Sequence, residues 1–174
     1  MNREYEVTYI AKEHLSRNEW KIVAFNPPGA QGTFTIPNPQ KDPTYRGQTG
    51  SESPDIVALK LIKDAYFILI VEAKPKYNAS DVEKMKNMFK SSERREVFLD
   101  IVHKQCLANN IDFNNSKKVN IVFAKAHYGS ENLRGDLITF RIALKNVSWN
   151  PENFRADEEI YSYFKIDEFS SSEI

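Results

Sequence analysis

Asp55, Glu72 and Lys74 are the residues of this sequence whose types and spacing could do chemistry together. They lie in the stretch 53–77, where two apolar runs, 56–62 and 65–71, flank the polar pair Lys63-Asp64. Both runs are short and rich in Ile, Leu, Val and aromatics, which predicts a β-hairpin turning at Lys63-Asp64. In that register Leu61 faces Tyr66, Leu59 faces Ile68 and Asp55 faces Glu72, with opposed Cβ atoms about 5 Å apart. Lys74 falls on the same face as Glu72, two residues further along the strand. Two apposed carboxylates repel unless a cation sits between them, and Mg²⁺, which takes one or two carboxylates and keeps several waters, suits that place. A cation held there lowers the pKa of a bound water, and the Lys74 ammonium adds a second positive charge beside it.

The elements that would position this patch read as follows. Val7, Ile10, Ala11 and Leu15 recur at helical spacing over 3–17, and 20–25 (WKIVAF) alternates as a strand. The segment 26–53 holds most of the chain's prolines and glycines and cannot be continuous helix or central strand. A connection this long is usually functional or disordered; 33–36 fits a short strand within it. After the hairpin, Ser80-Asp81-Val82-Glu83 is a capping-box signature. The helix it opens continues to about Asn109-Asn110, with Ser91-Ser92 as a potential interruption. Residues 119–124 (VNIVFA) form another buried-strand candidate, far enough from Glu72 for a crossover to a parallel strand. Further strands are expected at 137–147 and, shorter, at 160–166. The order α-β-β-β-α-β plus additions predicts an α/β fold: a mixed β-sheet flanked by helices, with extra C-terminal strands.

Pro54-Asp55 followed by Glu72-Ala73-Lys74 on a hairpin resembles the defining motif of the PD-(D/E)XK nuclease superfamily, whose core has the same αβββαβ order. The resemblance covers roughly residues 1–125, leaving 126–174 as a C-terminal elaboration of a single domain. It implies that Asp55, Glu72 and the backbone carbonyl of Ala73 bind Mg²⁺ (or Mn²⁺), and that Lys74 contacts the attacking water or the scissile phosphate. Many members carry a further acid on the first helix; Glu6 is the expected residue, with Glu4 and Glu13 competing. Lys84 and Lys86 resemble an auxiliary basic position of some branches. By size and layout the chain looks most like a small type II restriction endonuclease, a homodimer acting on double-stranded DNA. Repair, junction-resolving and phage-defence nucleases of the same fold, or a non-catalytic binding module that kept it, are the alternatives.

Composition sets the outer bounds. The 174 residues suffice for one domain with a sizeable core, and 41% hydrophobic with 28% charged residues is ordinary for a globular chain. No apolar run is long enough for a membrane span and the charged first residues do not resemble a signal peptide, so a cytoplasmic location is expected. The single cysteine, Cys106, excludes an internal disulfide. The net charge of zero divides into 22 basic against 17 acidic residues over 1–149, and 2 against 7 over 150–174. A mildly basic body is compatible with a nucleic-acid partner without demanding one. Gln31, Asn38, Lys41, Arg46 and Gln48 in the long loop, and Lys76 just past the motif, are the residue types that reach phosphates or base edges. Lys117, Lys118, Lys125, Arg134, Arg141 and Lys145 form a second basic set. Phosphate-loop and dinucleotide motifs are missing, and His14, His103 and His127, widely spaced with no nucleophile motif, read as structural or surface residues.

Overall fold

The computed structural model describes residues 3–29, 34–37, 53–75, 91–114 and 116–128, and the backbone of three more strands at 138–143, 146–150 and 169–170. Helix α1 spans Arg3–Arg17. It buries Val7, Ala11 and Leu15 completely and Ile10 nearly so, as the spacing predicts. Thr8 lies in the same buried stripe and satisfies its hydroxyl by donating to the Glu4 carbonyl at 2.7 Å. The helix ends in a Schellman pattern: Trp20 N–H donates to the Leu15 carbonyl and Glu19 N–H to that of Ser16, with Glu19 left-handed at φ 65°.

Strand β1 (Lys21–Phe25) pairs antiparallel with β2 (Ile56–Ile62), with a bulge at Val23 between Ile22 and Ala24. Asn109 Nδ2 donates to the Val23 carbonyl at 3.1 Å, so the bulge is tied to the end of the second helix. β2 pairs antiparallel with β3 (Ala65–Lys74) in the predicted register, Leu61 with Tyr66 and Leu59 with Ile68. Lys63 adopts φ 54°, the left-handed conformation a two-residue hairpin turn demands. Asp64 in that turn binds Lys117, which precedes β4 (Lys118–Tyr128) and fixes its start beside Ala65.

β4 runs parallel to β3, with the long connection between them carrying helix α2 (Ser92–Ala108). Ser91 is the N-cap, its hydroxyl accepting from Arg94 N, so the interruption expected at Ser91-Ser92 is a helix start. The Ser80–Glu83 capping box, Lys84 and Lys86 lie outside the described residues. α2 also ends in a Schellman pattern, with Asn110 at φ 55° and Ile111 N–H donating to the Cys106 carbonyl at 2.8 Å.

The sheet continues β4–β5–β6–β7, with β5 at Ile138–Ala143, β6 at Asn146–Asn150 and β7 at Phe169–Ser170. The single strand expected over 137–147 is thus two antiparallel strands, Ala143 pairing with Asn146. The polar pair Lys145-Asn146 interrupts the apolar run at that break. The short strand expected at 160–166 falls outside the described residues; of the 33–36 strand, only a bridge at Ile36 is seen.

Among the described residues, one helix covers each face of the sheet. Phe67, Leu69, Val71 and Ala73 of β3 point with Val122, Ala124 and Ala126 of β4 into the core under α1. Tyr66, Ile68 and Ile70 point the other way, to Phe98, Val102 and Cys106 of α2 and to Phe34 and Ile36. Burial pushes the Cys106 thiol up to about 11, leaving it inert at neutral pH.

His14 is fully buried on α1, and desolvation holds its imidazole neutral with a pKa down at about 4. An unfolded chain binds that proton near 6.5. Between these values the unfolded state takes up a proton that the folded state refuses, so this contribution to stability is complete above the upper value and is lost as pH falls. The loss should total about 3 kcal/mol. Urea unfolding at pH 7 and pH 4.5 should show a smaller acid loss in His14→Leu than in the wild type; parallel slopes would rule this origin out.

Candidate active site

Asn26, at the exit of β1, is the residue that sets Asp55 in place. Its side-chain amide donates to the carbonyls of Phe34 (3.1 Å) and Pro54 (3.0 Å), and its backbone N–H donates to the Asp55 carbonyl at 2.8 Å. Both ends of the long loop before the motif are therefore pinned by one buried amide. In Asn26→Ala the two carbonyls lose their donor at a cost of about 1–3 kcal/mol. A thermal melt should show the drop, whereas an unchanged melting temperature would assign the latch to other contacts.

The hairpin ladder ends at Ile56 and Val71. Two residues further the same register sets Ala73 against Pro54, but the Pro54 carbonyl is turned to Asn26, and Asp55 Oδ2 accepts the Ala73 N–H at 2.7 Å. A side chain thus replaces a rung. It holds the Asp55 carboxylate, 8% exposed, against the backbone between Glu72 and Lys74. Within a strand a residue's C=O leaves on the same edge as its N–H, so the Ala73 carbonyl also faces the Asp55 side.

Lys74 joins the acids. Its ammonium lies 2.6 Å from Glu4 Oε1 and 3.4 Å from Glu72 Oε1. As the last residue of β3 it reaches the first turn of α1 with its long stem. Burial pulls its pKa down, but the Glu4 hydrogen bond and the charges of Glu72, Asp55 and Glu4 outweigh that and hold it above the usual lysine range. Lys74 is therefore an ammonium at any working pH, a donor and point charge rather than a base, while those carboxylates stay ionised.

The first-helix acid at Lys74 is Glu4, not the expected Glu6. On a helical wheel Glu4 continues the row of Thr8, Ala11 and Leu15, all fully buried, one turn towards the N-terminus. Glu6 stands well off that row, and Glu13 pairs with Lys12 at 2.9 Å. The usable signal was the centre of the buried stripe, Thr8 included. Of the residues expected to touch DNA, Gln31, Asn38, Lys41, Arg46, Gln48 and Lys76 lie outside the described residues.

Lys125 was expected only as one of a diffuse basic set, and His127 as a structural or surface residue. Val119, Ile121 and Phe123 of β4 share the α2 face with Tyr66, Ile68 and Ile70 of β3, and both rows turn ionisable at the same level. Glu72 is in register with Lys125, and Lys74 with His127. Lys125 is 9% exposed and His127 2%. The alternation Ala124-Lys125-Ala126-His127 carried that signal: small residues face α1, ionisable ones the motif.

Among the described residues no three His, Cys, Asp or Glu side chains form a preformed metal cage. The donor set that is present, Asp55, Glu72 and the Ala73 carbonyl, is all hard oxygen, as Mg²⁺ requires, and Mg²⁺ needs only one or two carboxylates. Three carboxylates converge on one ammonium, Lys74, a negative surplus at that point that a dication would offset.

No family model, no curated protein and no solved structure matches this chain. A functional reading therefore rests on the site itself.

Proposed function

We propose that the chain is a Mg²⁺-dependent DNA endonuclease of the PD-(D/E)XK type, most akin to a small type II restriction endonuclease acting as a homodimer. The observation that carries the reading is the convergence of Asp55, Glu72 and Lys74 at one end of the β2–β3 hairpin. The order α1-β1-β2-β3-α2-β4, with β3 and β4 parallel and a helix on each face, supports the same reading. So does the position at the carboxyl ends of parallel strands, where α/β sheets bind ligands.

Asp55, Glu72 and the Ala73 carbonyl would hold the metal, which supplies a water of lowered pKa and neutralises phosphate charge. The residues do the rest. Lys74, kept protonated, donates to a non-bridging phosphate oxygen as negative charge grows there. Glu4 aims the ammonium, and the Ala73 N–H fixes the Asp55 carboxylate so that it need not reorganise during the reaction. Glu72 and Lys74, two apart on one strand, keep acid and cation on the same side of the phosphate.

Supercoiled plasmid incubated with Mg²⁺, Mn²⁺ or EDTA tests this. Metal-dependent nicking that disappears in Lys74→Ala is the expected result. A wild type that cleaves neither DNA nor RNA would leave a non-catalytic binding module as the better reading. Sequencing of the cut ends separates a restriction enzyme, with a fixed site, from repair or defence nucleases of the same fold.

A further inference from the structure

We infer that Lys125 is a second phosphate-binding cation of this site, and that the DNA strand passes the carboxyl ends of β3 and β4 where Glu72, Lys74 and Lys125 stand. The inference rests on the nuclease reading and deepens it.

Register and burial carry it. Lys125 is the in-register neighbour of Glu72 across a parallel pair, which places both side chains on one face with the strands about 4.8 Å apart. It stands at the level where the α2 face ceases to be apolar, Phe123 being the residue before it in the row. A lysine 9% exposed is uncommon, since burying an ammonium costs free energy unless anions surround it. Glu72 is its in-register neighbour across the sheet. A phosphate arriving over Glu72 and Lys74 would be such an anion.

Charge balance points the same way. Glu4, Asp55 and Glu72 bring three negative charges, and Lys74 with Lys125 two positive ones. One dication and one phosphodiester added to these five groups leave no net charge. Without Lys125 the loaded site would carry an uncompensated negative charge in a partly desolvated place. His127, in register with Lys74, is buried at 2% exposure and so offers the strand no surface. Lys125 would therefore touch the scissile or the adjacent phosphate, where its charge serves both binding and the transition state.

The test compares Lys125→Met, which keeps the aliphatic stem, with Lys125→Arg, which keeps the charge. Two readouts are taken with a fluorescent duplex: single-turnover cleavage with Mg²⁺, and equilibrium binding across a salt series with Ca²⁺ in place of Mg²⁺. Lys125→Met should cleave at least about tenfold more slowly, and its log–log salt slope should fall by about 0.9, one phosphate contact. Lys125→Arg should restore most of both. A wild type that cleaves while Lys125→Met matches it in rate and slope overturns the inference. Equal losses in both variants with a lowered melting temperature also overturn it, assigning Lys125 to packing. A wild type that binds the duplex but never cleaves it defeats the nuclease reading instead, and the salt slope still decides Lys125.

Discussion

Asp55→Asn should lower metal-dependent cleavage by roughly three orders of magnitude while leaving the fold in place. The reason is the double duty of that carboxylate. As an acceptor it takes the Ala73 N–H at 2.7 Å, closing the hairpin where the ladder stops. Asparagine keeps an oxygen for that bond, so the strand ends should stay together. As a charge it is, in the proposed site, one of the two carboxylates that would hold the metal, and asparagine removes it. Metal-assisted phosphate polarisation supplies several kcal/mol, and each 1.36 kcal/mol is about tenfold in rate, which sets the expected scale. Asp55→Ala makes the informative contrast. It loses charge and acceptor together and leaves a buried N–H without its partner, so it should lose about 1–3 kcal/mol of stability as well. Single-turnover rates and thermal melts of both variants separate these roles. If Asp55→Asn cleaves like the wild type, Asp55 is a structural cap only.

The largest effect on stability should come from Phe98→Ala. Phe98 is fully buried on α2 and meets the ring of Phe34 edge-on, at 6.2 Å between centroids and 81° between planes. Truncation removes the burial and leaves a cavity between α2 and the sheet, at about 3–5 kcal/mol. That is a large part of the 5–15 kcal/mol typical of a whole domain. It also removes the platform for Phe34, whose carbonyl receives the Asn26 amide. Phe98→Ala should therefore lose cleavage beyond its unfolded fraction. Urea denaturation gives the stability, and assay well below the melting point shows whether the two losses separate. A drop under about 1 kcal/mol would mean that the site repacks.

The hairpin was legible because a two-residue turn between two apolar runs leaves one register that buries both; the ladder in that register stops at Ile56 and Val71, one pair short of Asp55 and Glu72. α1 was legible for the same kind of reason, its stripe matching the helical period. The rest depended on tertiary facts. Glu4 and Glu6 both stand in the first turn of α1, and the choice between them follows from how the helix rotates onto β3. Lys125 and His127 joined the site only once β4 was seen beside β3 and in register, a pairing made across a long connection. Lys74 could be placed from local spacing, but the residue that hydrogen-bonds its ammonium, Glu4, 70 residues away in sequence, could not.

The bulge at Val23 bears on how two copies could meet. An outer strand with unmet backbone groups is an invitation to edge-to-edge growth of the sheet. Here the bulge breaks the straight row that an incoming strand would need, and the Asn109 amide already occupies the Val23 carbonyl. β1 is thus protected against templated aggregation at its midpoint. A pair of subunits straddling a two-fold DNA site would have to join through other surfaces, leaving the hairpin ends of both free to face the duplex.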